Sequence, residues 1–306
     1  TLAPAPGSVS IDERLPDSMV DLLEQAIHNQ DVVHQQSFHL GITTEQAIAK
    51  WIYCVVVPFP TITSRIEFED LHDLWLGHPP ANYEWKLIFV DADTAETLVA
   101  WWGLPSSSHI MILDSEDLLG ANWVDTDALT ILPFEALEPH WKVLEIDGQN
   151  PIRNTFEPDT YPLTLKVGPV DHSEAFFNTF PDLPLASNRS KEKLTNLMIT
   201  GVTALVRATA HDMETKGITY PAGDLGELLA SADITHISNE VPFAQNCPYP
   251  DPWQEGVRFC SDPRYMELLE LIGTDVVELT GDHFADWGND AMRLTLEMYA
   301  EAGWPV

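Results

Sequence analysis

Residues 232–242, ADITHISNEVP, and residues 273–288, GTDVVELTGDHFADWG, each carry a short apolar strand that runs straight into polar side chains. Ile234 to Ser238 leads into Asn239-Glu240, and Val276 to Leu279 leads into Gly281-Asp282-His283. Between them Asp262 and Pro263 open a helix that turns Met266, Leu269 and Ile272 inward and closes at Gly273. Strand, helix, strand is the grammar of an α/β fold. In an open α/β sheet the C-terminal strand ends and the following loops converge, and ligands bind there. Oxygen and imidazole donors gathered at that edge suit Mn, Fe, Zn or Mg bridging a phosphate. Polar caps and hydrogen-bonded turns are the other reading of the same residues.

Working outward, Leu197 to Thr200 reads as a strand and Ala204 to Lys216 as a helix ended by Gly217. Asp224 with Glu227 has the spacing of a capping box for the next helix. Ala291, Leu294, Met298 and Ala302 line one face of a last helix, closed by Gly303 and Pro305. Arg207 follows the first strand closely enough to meet a phosphate or carboxylate, and a surface ion pair is its commoner use. Cys247 and Cys260 bracket the Pro-rich loop NCPYPDPWQEGVRFC, for which a disulfide and two buried thiols both stay open. Cys54, inside an apolar strand, reads as a small core residue.

The first 190 residues alternate in the same way. Asp17 to His28 is an amphipathic helix with Met19, Leu22, Leu23 and Ile27 on one face. Ile52 to Val57 is an unbroken apolar strand of the kind buried on both sides. Phe68 to Leu76 and Thr94 to Trp102 read as helices; Lys86–Val90, His109–Leu113, Leu129–Leu132, Lys142–Ile146 and Leu163–Val167 read as strands. Residues 171–193 are rich in turn formers and read as the junction between domains. The expected divisions are a processed, secreted-type stalk over 1–16, one α/β domain over 17–188 and a second over 189–306.

Charge narrows the function classes. The 306 residues hold 15 Lys and Arg against 48 Asp and Glu, a net charge of −33 spread over both halves. Such a surface repels nucleic acid and anionic membrane, which need clustered cations to displace counterions. No segment reaches the roughly 18 apolar residues of a membrane span.

Two resemblances add to this. GITYPAGDLGELLASADITHISNEVPF (217–243) and GVRFCSDPRYMELLELIGTDVVELTGDHFADWGNDAMRLTLEMYAEAG (256–303) resemble the CapA, or poly-γ-glutamate synthesis, family. YCVVVPFPTITSRIEFEDLHDLWLG (53–77) resembles the type 2 periplasmic solute-binding proteins. The combined expectation is a solute-binding-like α/β domain followed by the first half of a calcineurin-like metallophosphoesterase-type α/β sandwich.

The CapA resemblance implies metal ligation by Asn239, Glu240 and Asp282. It implies His283 as general acid or phosphate contact and Asp286 as its orienting partner. It also implies a divalent cation (Mn, Fe, Zn or Mg). Where the family opens with Gly-Asp this chain has Gly201-Val202, which removes a metal ligand, and Asp282 stands where Asn is usual. The family continues past the position of Val306 into further histidine motifs. The expected partners are therefore that second half or another chain, self-association, and an anionic extracellular polymer or small ligand, with no nucleic acid. The implied role is extracellular or cell-surface work in capsule or poly-γ-glutamate-type polymer synthesis, as a metal-dependent hydrolase; a non-catalytic binding or structural protein with a degenerate site is the alternative.

Overall fold

The strand that the apolar run Ile52–Val57 predicts extends over Ala49–Pro58 and is the spine of the first unit. The computed structural model describes residues 7–306 except 31, 33 and 35. The chain divides into two compact units, Thr1–Lys191 and Glu192–Val306. The first unit opens with β1 (Val9–Ile11), α1 (Asp17–His28), β2 (Phe38–Ile42), β3 (Ala49–Pro58), β4 (Arg65–Ile66) and α2 (Phe68–Trp75). It continues with β5 (Leu87–Val90), α3 (Ala92–Trp102), β6 (Ile110–Ile112), α4 (Leu118–Val124) and β7 (Ala128–Pro133). It closes with β8 (Trp141–Val143), β9 (Glu145–Ile146), β10 (Thr164–Pro169), α5 (Ser173–Thr179) and β11 (Ala186–Ser187).

The main sheet runs β1-β2-β10-β3-β7-β5-β6, with β8 and β11 also paired to β3. Successive side chains of β3 point to opposite faces, and both faces are covered. Tyr53, Val55 and Val57 enter the larger core with Trp51, Leu71, Trp75 and Leu98. Cys54 and Val56 enter a second core with Phe89, Leu118 and Leu132. Two-sided burial is why β3 shows no polar alternation. It also drives the Cys54 thiol pKa far up, so this cysteine is packing and not a nucleophile.

Several expectations need correction. The stalk over 1–16 is ordered structure from Val9: β1 pairs in parallel with Phe38–Leu40, and Leu15 is fully buried. Residues 1–6 of that stalk lie outside the described residues. The stretch 171–193 is not all linker, because α5 and the turn after it bury Phe176 and Phe180 in the first core, and β11 pairs with β3. Lys142–Ile146 is two strands. The chain switches partners at Leu144, so β8 pairs with β3 and β9 with β4. Leu22 of α1 is exposed, and the burial falls on Met19 and Leu23.

The second unit is built from β12 (Leu197–Val202), α6 (Arg207–Lys216), α7 (Gly226–Ala230), β13 (Ile234–Ser238), α8 (Met266–Leu271), β14 (Thr274–Glu278) and α9 (Asn289–Ala302). Its sheet is three parallel strands in the order β12-β13-β14, an α/β arrangement. Ile237, Phe243, Leu269, Val277 and Tyr299 form its core. Asp224 makes no capping bond. A 3-10 turn over Tyr220–Leu225 runs into α7, whose N-cap is Leu225. Asp262 does cap, accepting from the Arg264 N–H. The buried stripe of α9 is Ala291, Thr295 and Tyr299, one position round from the expected face. Thr295 can sit inside because its hydroxyl donates to the Ala291 carbonyl at 2.8 Å and accepts from the Phe243 N–H at 2.7 Å.

Candidate metal centre

Neighbouring parallel strands deliver the two polar clusters side by side. Ser238 of β13 is in register with Glu278 of β14, so the residues that follow leave the sheet together. The Asn239 N–H donates to the Glu278 carbonyl at 3.0 Å and carries the ladder one residue past the strand. Beyond it, Glu240 lies against Gly281, where a Cβ would collide with the Glu240 side chain. Glycine is required there because the two loops touch.

One ligand atom from each of Glu240, Asp282 and His283 falls within 4.8 Å of the others. His283 Nε2 is 3.4 Å from an Asp282 carboxylate oxygen, and the Asp282 side chain is 89% exposed. Donors held at about 2.1 Å from one cation can be no more than about 4.2 Å apart. The Asp282–His283 pair already meets that limit, and the whole set lies within about half an ångström of it. Two oxygens and one imidazole nitrogen fit a divalent cation of the Mn, Fe, Zn or Mg type.

The other ring nitrogen fixes the histidine. His283 Nδ1 lies 2.7 Å from Asp286 Oδ2, and the same oxygen accepts the Phe259 N–H at 2.8 Å. The bond to Asp286 holds the His283 pKa above its ordinary value. In the neutral ring it places the proton on Nδ1 and leaves the Nε2 lone pair toward Asp282, the tautomer that a metal ligand needs. Arg258 donates to the Asp286 main-chain carbonyl at 2.7 and 3.1 Å. The Phe259 ring meets His283 edge-on at 4.7 Å.

The remaining expected residues divide. The buried Asn239 carboxamide is engaged elsewhere: its amide donates to the Tyr299 hydroxyl at 2.5 Å, and its oxygen is 3.5 Å from the Val241 N–H. Burial pushes the Tyr299 phenol up to about 12, so it stays a neutral partner. Arg207 opens α6, and its guanidinium lies 4.7 Å over the Phe259 ring. Phe259 is thus in contact with both Arg207 and His283. Val202, at the end of β12, is 61% exposed and offers no donor. Cys247 and Cys260 form a disulfide with their α-carbons 5.7 Å apart. Phe259, Arg258 and Tyr299 do not stand out in the sequence. Only the adjacency of Arg258 and Phe259 to Cys260 hints at the first two, and a main-chain donor such as the Phe259 N–H leaves no trace in side-chain patterns.

The model for the bacterial capsule synthesis protein family PGA_cap matches residues 196–306, a span that lies within the second unit. No curated protein matches the chain. Among solved structures, an ABC-type phosphate transport receptor from Vibrio cholerae is similar, with 11% identity and a TM-score of 0.41 over 58% of this chain and 92% of that one. A protein from Clostridium perfringens, assigned as a phosphate ABC transporter substrate-binding protein and solved with phosphate, gives 10% identity and a TM-score of 0.30 over 57% and 92%. Among the described residues no helix is long and apolar enough to cross a membrane.

Proposed function

We propose that the second unit works in the synthesis or handling of an extracellular anionic polymer of the capsule type, as a hydrolase or transferase of phosphate esters that uses a divalent cation. One observation carries this reading: Glu240, Asp282 and His283 converge from the ends of two adjacent parallel strands, with His283 locked by Asp286. The PGA_cap match over the same residues supports the polymer context. The disulfide supports an oxidising compartment outside the cytosol.

In this reading Glu240, Asp282 and His283 Nε2 hold the cation. A cation there supplies Lewis-acid polarisation of a phosphoryl oxygen. Asp286 keeps the imidazole in one orientation and its proton on Nδ1. The Phe259 ring covers one side of the imidazole and limits water there.

The test is a titration of metal-free chain with Mn²⁺ and Zn²⁺ by calorimetry, beside hydrolysis of bis(p-nitrophenyl) phosphate. Wild type is expected to bind close to one equivalent and Glu240→Gln to bind at least tenfold more weakly. Absence of stoichiometric binding would overturn the reading. The exposed Val202 favours a second reading, a binding site without turnover, because β12 contributes no ligand. Metal binding without hydrolysis would select it.

A further inference from the structure

The second unit has a cavity of about 170 Å³ lined by Arg207, Arg258, Phe259, Tyr249 and Trp287 and by the Cys247–Cys260 bridge, and His283 is not among its lining residues. Both guanidiniums lie against aromatic rings, Arg207 4.7 Å over Phe259 and Arg258 5.7 Å over Trp287. Neither forms an ion pair with a carboxylate among the described residues. Arg258 spends two N–H groups on the Asp286 carbonyl, and Arg207 has only its ring contact. The carboxylate that also lines the cavity, Asp262, is taken up by Arg264 at 3.1 Å.

This is unusual on so acidic a chain. Residues 190–306 hold seven Lys and Arg against nineteen Asp and Glu. Lys216 and Arg264 are tied to acidic neighbours. Two cations left without carboxylates in one concavity, each over an aromatic ring, present donors for an oxyanion. The volume is that of about six waters, which admits a phosphate or carboxylate with the first atoms of the body that carries it. Aromatic walls then cover those atoms.

We propose that this cavity is an oxyanion subsite, distinct from the Glu240–Asp282–His283 set, that takes a phosphate or carboxylate group of a larger acidic ligand. It lies one ring away from His283, so one extended ligand reaches both. It needs no metal.

The experiment is calorimetric titration of the whole chain in EDTA with inorganic phosphate and, separately, with glutarate. Saturable binding of at least one is expected, weakened tenfold or more in Arg207→Gln and partly restored in Arg207→Lys. Preference for phosphate identifies a phosphoryl source, and preference for glutarate a carboxylate source. Glu240→Gln should bind the anion within twofold of wild type, whatever its metal affinity. No saturable binding of either anion would overturn the proposal. So would an Arg207→Gln protein that binds like wild type, binding that appears only with metal, or anion binding lost in Glu240→Gln. A failed metal titration with intact anion binding removes the phosphoesterase reading and leaves this one.

Discussion

Asp286 is where the candidate centre can be tested most sharply, because two donors converge on one of its oxygens. In Asp286→Asn the amide oxygen can take that place and keep both bonds, so only the negative charge is lost. Charge-assisted hydrogen bonds exceed neutral ones by roughly twofold, within a range of about 1.5–3 kcal/mol. The loss is then about 1.4 kcal/mol, which is about tenfold in metal affinity. Asp286→Ala removes the acceptor itself. His283 loses its fixed tautomer, and the Phe259 N–H is left unpaired beside a buried ring. Loss of such an outer partner costs up to about 100-fold in metal affinity, and the orphaned N–H costs a further ~1–2 kcal/mol of stability. Calorimetric titration with Mn²⁺ measures the first effect and urea unfolding the second. The order wild type, Asn, Ala in both is the expected result. Two folded variants that bind Mn²⁺ within twofold of wild type would refute the idea that Asp286 positions His283.

Three further outcomes follow from the packing. The Cys247–Cys260 bridge closes a loop of sequence separation 13, so Cys247→Ala/Cys260→Ala should lower the stability of the second unit by about 3 kcal/mol, read by urea unfolding with and without reductant. Thr295→Val keeps the shape of α9 but strands the Phe243 N–H, at a cost of about 1–3 kcal/mol in the same assay. Burial, with Asp17, Asp91, Glu96 and Glu135 nearby, raises the Asp93 carboxyl from 3.8 to about 6. The folded state therefore holds this proton more tightly, and the stability so gained is present below about pH 4 and lost as pH rises through 6. Asp93→Asn should raise the melting temperature at pH 7.5 by about 2 °C, an exposed side chain delivering only about 1 kcal/mol, and leave it unchanged at pH 3.5. A gain at the low pH instead would contradict the assignment.

The α/β class was legible because it rests on short-range signals. Unbroken apolar runs such as Ile52–Val57, and the strand-to-polar transitions at Ser238 and Leu279, are local and survive any tertiary arrangement. What escaped depends on contacts distant in sequence. β1 is a strand only because Phe38–Leu40 runs beside it. Leu144 splits one apolar run in two because the flanking residues find different partners. The face of α9 is displaced from the one its apolar pattern predicts, because Thr295 and Tyr299 are buried through hydrogen bonds that only the fold supplies. At the site, Glu240, Asp282 and His283 were visible as ligand-type residues after strands. The engagement of Asn239 in the core was not, since its partner lies 60 residues away on another element.

Asn239 and Glu240 are chain neighbours with opposite addresses, one sealed in the interior and one turned to the candidate centre. The bond from Asn239 to Tyr299 therefore acts as a gauge that sets the height of Glu240 above the sheet. Anyone grafting this centre onto another scaffold would have to carry the tyrosine and the last helix with it, and a library that randomises the ligands should leave position 239 alone.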